Sequence, residues 1–91
     1  MPVQSVLLEM DRAQLAAALQ RATEMLNGGD SEAVLDFSTV ERVDPNELKL
    51  IEKLAALAGE KSLKIALRGV NVGIYKALKL ANLTGRFSFE N

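Results

Sequence analysis

AVLDFSTVERVDPNEL, residues 33–48, is the stretch on which the fold turns. Ala33, Val34, Leu35 and Phe37 form a short apolar run with one acid, Asp36, inside it. A run this short and continuous reads as a strand buried on both faces, as in a parallel sheet. Polarity then changes and a helix begins. Asp44 is placed to accept a hydrogen bond from the free amides of the first turn. Pro45, at the first helical position, has no N–H to leave unpaired, and its φ is already helical. Glu47, three residues after Asp44, can reach back to the cap amide in a capping box. From Leu48 onward apolar residues recur at helical spacing. The order is strand, turn, helix, with the helix start at the end of the sheet where open α/β folds place their sites.

Toward the N-terminus, Val3 to Met10 reads as a strand centred on Val6, Leu7 and Leu8. Asp11 follows as a helix cap, with Gln14 at the capping-box position. Leu15, Ala18, Leu19, Ala22, Met25 and Leu26 make a stripe of period 3.6. Asn27-Gly28-Gly29-Asp30 stops that helix, because glycine accepts the left-handed conformation past a helix end. Toward the C-terminus, the helix begun at Pro45 buries Leu48, Ile51, Leu54, Ala55 and Ala58, with Leu50 and Leu57 widening the face and Gly59 as its stop. Ser62 to Arg68 alternates, with Leu63, Ile65 and Leu67 on one face and Lys64, Ala66 and Arg68 on the other. Gly69-Val70-Asn71 turns the chain, and Asn71 is a good cap for a helix from about Val72 to Asn82 that buries Ile74, Tyr75, Leu78 and Ala81. Thr84-Gly85 breaks it, and Arg86 to Phe89 reads as a last short strand.

Strands alternating with helices of this length imply a mostly parallel sheet with crossover helices. The 91 residues make one domain, residues 1–91, without linker or repeat. Eleven basic and twelve acidic residues nearly cancel, so no basic excess speaks for nucleic acid or anionic lipid. The chain has no cysteine, which excludes disulfide and thiolate chemistry, and no histidine, which removes the commonest general base and metal ligand. MPVQSVLLEM lacks the basic region and long apolar stretch of a signal peptide, and no run is long enough to span a bilayer. A cytoplasmic location is the default expectation.

DFSTVERVDPNEL resembles the signature of STAS domains, named for sulfate transporters and anti-sigma factor antagonists. Asp36, Ser38, Val40, Val43, Asp44 and Leu48 sit where that pattern wants them. LRGVNVGIYKALKLANL, residues 67–83, is similar to the family's closing strand, Gly-Val-Asn turn and helix. The likeness spans roughly Leu8 to Phe89 and is best in the two turns. Val-Glu-Arg-Val-Asp, Gly-Val-Asn and the helix from Tyr75 to Leu83 are also similar to the small STAS subunit of bacterial lipid-trafficking ABC transporters. The resemblance implies an α/β, STAS-like fold: a mixed, mostly parallel four-stranded sheet with three helices. It implies a module that binds a protein partner, either an anti-sigma or kinase-like protein or a transporter ATPase, and performs no catalysis. It places the partner surface on Ser38, Thr39, Asp44, Pro45, Asn46, Glu47, Gly69, Val70 and Asn71. The chain departs from the pattern in two ways. It has room for about one strand before its first helix, where the family usually has two. The serine phosphorylated in anti-sigma antagonists aligns with Asn46, which has no hydroxyl to modify.

Other chemistries fare poorly on the residues themselves. Asp36, Asp44 and Glu47 lack a histidine or a fourth ligand, so no metal is expected. Asp36 reads as an acceptor for loop amides. Ser38 and Thr39 have no histidine to activate them and read as turn formers. Gly69-Val70-Asn71-Val72-Gly73 lacks the lysine and spacing of a phosphate loop, and no cofactor is expected. Asp44 to Glu47 is accounted for by helix capping, a reading compatible with partner docking at the same turn. Arg68, Lys76, Lys79 and Arg86 give the last helix a basic side, and Tyr75 reads as core.

Overall fold

A computed structural model describes residues 5–90. The chain runs β1 (Ser5–Glu9), α1 (Leu15–Asn27), β2 (Glu32–Asp36), α2 (Pro45–Lys61), β3 (Lys64–Arg68), α3 (Val72–Leu80) and β4 (Ser88–Glu90), with single 3-10 turns at Arg12–Gln14 and Thr84–Arg86. The four strands form one sheet in the order β1-β2-β3-β4, and all three pairings are parallel. Each strand is thus joined to its neighbour by a helix. Right-handed crossovers that always advance in one direction put every helix on the same face of the sheet. This is the STAS-like arrangement expected, with three helices and four strands.

The burial pattern follows from that one-sidedness. In β2, Ala33 and Leu35 are buried, while Glu32, Val34 and Asp36 are half-buried on the opposite face. Leu8, Leu35, Leu67 and Phe89 form a row on the helix-covered side, and Leu7, Val34, Ala66 and Ser88 form a row on the open side. The expectation of a strand buried on both faces is therefore corrected. An apolar run marks a strand, but nothing in the run says whether later elements cover one face or two. The core is built from Leu15, Leu19, Ala22 and Leu26 of α1, Ile51, Leu54, Ala55 and Ala58 of α2, and Ile74 and Leu78 of α3. Phe37, just past β2, and Met10, just past β1, are also fully buried.

Several boundaries differ from expectation. β1 begins at Ser5, and Val3 and Gln4 lie outside the described residues. Asp11 caps the 3-10 turn through the Ala13 amide, not α1. Gln14 makes no capping-box bond; its amide donates to the Asp11 carbonyl at 3.0 Å. The α1 stop places positive φ at Gly29, with Gly28 still right-handed. Gly59 does not end α2. The helix runs on to Lys61, and Ser62 takes the left-handed cap at φ 55°. The Ala58 carbonyl accepts both the Ser62 and the Leu63 amides, which closes the end of the helix. Tyr75 is not core: it is 41% exposed and meets Phe89 edge to face at 5.1 Å. It sits beside the Ile74–Leu78 stripe, and the edge strand β4 is too short to cover it.

Candidate partner-binding site

Parallel strands leave all their carboxyl ends on one side of the molecule, and the starts of α2 and α3 both follow from there. At α2 the capping box forms as the spacing requires. The Asp44 carboxylate accepts from the Glu47 amide at 2.7 Å, and the Glu47 carboxylate accepts from the Asp44 amide at 2.9 Å. Pro45 occupies the first helical position. Asp44, Pro45 and Asn46 are exposed and Glu47 is half-buried. Asn46 therefore presents its side chain from a rigid first turn whose neighbours' polar groups are already satisfied.

At α3 the cap does two jobs. The Asn71 side-chain oxygen, Oδ1, accepts from the Ile74 amide at 2.8 Å. Its side-chain N–H₂ donates to the backbone carbonyls of Glu41, at 2.9 Å, and Val40, at 3.4 Å. Asn71 thus ties the start of α3 to the loop that leads into α2. Gly69 makes this approach possible. Its φ is +71°, and a Cβ there would lie 2.9 Å from Ser38 Cβ and 3.1 Å from Ser38 N. The backbones after β2 and β3 are packed too closely for any side chain at position 69. Val70 is half-buried beside them.

Ser38 and Thr39 are exposed but belong to the other side of this end. The Ser38 amide donates to the Asp36 carboxylate at 2.9 Å, closing an Asx turn. The Thr39 hydroxyl donates to the Met10 carbonyl at 3.3 Å. Hydrogen bonding from the Ser38 side chain and then from its amide, aided by the Arg68 guanidinium, holds the Asp36 carboxyl below its ordinary range. Glu9, Asp11 and Asp36 line a shallow hollow with Ser38 and Thr39, yet among the described residues no group of three carboxylates is placed to hold a metal ion.

Nine expected site residues are thus divided. Asp44 to Glu47 and Gly69 to Asn71 are joined through Asn71 and the 40–43 loop. Ser38 touches this group through Gly69, and Thr39 turns toward β1. Sequence reasoning missed the carbonyls of Val40 and Glu41, since a backbone acceptor carries no side-chain signal. It also missed Val72, which is 70% exposed at the α3 start. Val72 lies off the Ile74–Leu78 stripe, and that spacing was a readable sign.

A solved structure of a candidate anti-sigma factor antagonist, tm1081 from Thermotoga maritima, superposes on the chain with a TM-score of 0.70. The alignment covers all of this chain and 75% of that one, at 24% identity, and it establishes likeness of fold. No curated protein matches the chain. A family model described as "Mlab, STAS domain" matches residues 4–88. That match contains the whole sheet up to Ser88 and both helix starts, and the chain belongs to the STAS domain family.

Proposed function

We propose that this chain is a non-enzymatic, cytoplasmic binding module of the STAS type that docks a protein partner through the first turn of α2. The observation that carries the reading is the exposed Asn46 on a turn held rigid by the Asp44–Glu47 box, near a second helix start that Asn71 ties to the loop leading into that turn. A prearranged, exposed backbone costs little ordering entropy on binding. The start of a helix favours negative charge, and the Asp44 and Glu47 carboxylates already place two fixed charges there. Asn46 has no hydroxyl, so the partner interaction is not switched by phosphorylation at this position. The module is constitutively competent. Phosphorylation would add about −1.5 to −2 charge, which a kinase cannot deliver here.

A second reading keeps the same surface and changes the partner: an accessory STAS subunit docked on the ATPase of a lipid-trafficking ABC transporter. The Val-Glu-Arg-Val-Asp and Gly-Val-Asn turns support it, since both lie on the joined surface. No helix among the described residues is long and apolar enough to cross a membrane, so contact with such a transporter would run through its ATPase.

The test is affinity capture of the partner from the native host, then titration of wild type, Asn46→Ser and Asn46→Asp against the captured protein. Asn46→Asp weakens binding while leaving the melting curve in place. Equal affinities for wild type and Asn46→Asp would move the interface away from this turn. The identity of the captured protein, kinase-like or ATPase, separates the two readings. Phosphate on Ser38 or Thr39 in protein from the host would overturn the claim of an unswitched module.

A further inference from the structure

The open face of the sheet is a second surface, on the far side from α3. Parallel strands are ordinarily covered on both faces, and here, among the described residues, only one is. Across the middle of the open face run Leu7, Val34 and Ala66, and Leu7 is 56% exposed. Rows on either side are charged. Glu32 pairs in register with Lys64, and Glu9, Asp36, Arg68 and Glu90 share the other row. Arg68 is held by Glu90 at 3.2 Å. Four carboxylates thus stand against two cations, and the β1–β2 half, with Glu9, Glu32 and Asp36, is acidic.

The outward face of α3 has the opposite character. The helix VGIYKALKL contains no acid. Ile74 and Leu78 point into the core, which leaves Val72, Lys76, Lys79 and Leu80 facing away from it, with Leu80 89% exposed. Neither lysine makes a salt bridge among the described residues. A nine-residue helix is about 13 Å long at 1.5 Å per residue. The four steps from Glu32 to Asp36 span about the same distance at roughly 3.3 Å each.

We propose that the open sheet face receives α3 of a second copy of this chain, so that copies associate head to tail. Leu80 and Val72 cover Leu7 and Val34, while Lys76 and Lys79 reach the carboxylates of the β1–β2 half. The sheet then has helices on both faces. The contact is heterologous: each copy uses its helix toward one neighbour and its sheet toward another, so association does not close on a pair. Both surfaces are small, and the association belongs to the weak class that shows at roughly 0.1–1 mM protein. Its charged part weakens with salt. The contact shares only Val72 with the partner surface, the α2 turn takes no part and none of the variants below alters either, so failure here and failure of the partner reading are distinguishable.

Sedimentation equilibrium tests it with the whole chain. Wild-type average mass should rise with concentration beyond that of a dimer, and less so at high salt. Leu80→Ser has a disabled helix and an intact sheet; Glu9→Lys/Glu32→Lys has the reverse, and its lysines repel the lysines that Leu80→Ser keeps on its helix. Each should remain monomeric alone. Mixed in equal amounts, they should form a one-to-one dimer and nothing larger, because only one compatible contact exists between them. Should the charge reversal disturb folding, Leu7→Ser, at an exposed position, replaces it. A monomeric wild type over the whole range overturns the proposal. So does a closed dimer, or a mixture of the two variants that stays monomeric.

Discussion

The starts of α2 and α3 lie side by side and are capped by the same kind of bond, yet they are fastened differently. At α2 the cap closes on itself: Asp44 and Glu47 satisfy one another, and neither side chain bonds a distant element. At α3 the cap is a tertiary link, because Asn71 also donates to the carbonyls of Glu41 and Val40, some thirty residues earlier. The difference follows from chemistry. A carboxylate is acceptor-only, while an amide side chain accepts and donates at once. An aspartate at position 71 could cap the helix but could not hold the loop.

The largest effect comes from removing what both helix starts rest on. Leu35 is 1% exposed, between β1 and β3 and beneath the helices. Leu35→Ala should cost about 2–5 kcal/mol in a denaturant melt, as buried leucines do. A loss under about 0.5 kcal/mol, the range of surface changes, would show that the two starts share no such floor.

Next comes the hinge between the two loops. Gly69→Ala sets a Cβ against the Ser38 backbone at positive φ, and should cost about 1–3 kcal/mol. The backbone amide of residue 69, which donates to the Glu90 carbonyl at 3.1 Å, should exchange faster as the loops part.

The caps themselves come third. Asp44→Ala should lose about 1 kcal/mol, the worth of one N-cap. Asn71→Ala should lose more than that, since the tie to the Glu41 carbonyl goes with the cap. Asn71→Asp sharpens the contrast: it should keep the cap and lose only the tie. Equal losses for Asp44→Ala and Asn71→Ala in urea melts would break the comparison.

The smallest effect is a slope. The Asp36 carboxyl is held below its ordinary value of 3.8 by Ser38 and then by Arg68. A carboxylate whose folded pKa is depressed stabilises the fold above its unfolded pKa, and that contribution is lost as pH falls through the folded value. Stability measured from about pH 5 downward should therefore fall less steeply in Asp36→Asn than in wild type.

Much of this end of the molecule was legible in the residues. Asp44-Pro45-Asn46-Glu47 is a strictly local pattern, and it formed as read. Asn71 was readable as a cap, because capping too is local. Its bond to Glu41 was not, since it depends on where β2 and β3 lie in space. The alternation of Leu63, Ile65 and Leu67 in the β3 region showed one covered face directly. β2 carried Ala33, Val34 and Leu35 in succession and so concealed the same fact. Gly59 was misread as a stop because glycine is only weakly excluded from a helix interior. There the Arg86 guanidinium lies where a Cβ would stand, 2.8 Å away, a contact no local pattern encodes.

The order β1-β2-β3-β4 matches the order of synthesis, and this bears on how the chain acquires its structure. No strand has to wait for a later one to fill a gap beside it. Each new strand, delivered by its helix, finds its partner already in place and becomes the growing edge in turn. Loop closure is therefore limited to one helix-length crossover at each step, which keeps its entropy cost low for a parallel sheet. The last strand, three residues long, adds the least, so shortening the chain from its C-terminus should trim the sheet at its margin and leave the pairing of β1, β2 and β3 unchanged.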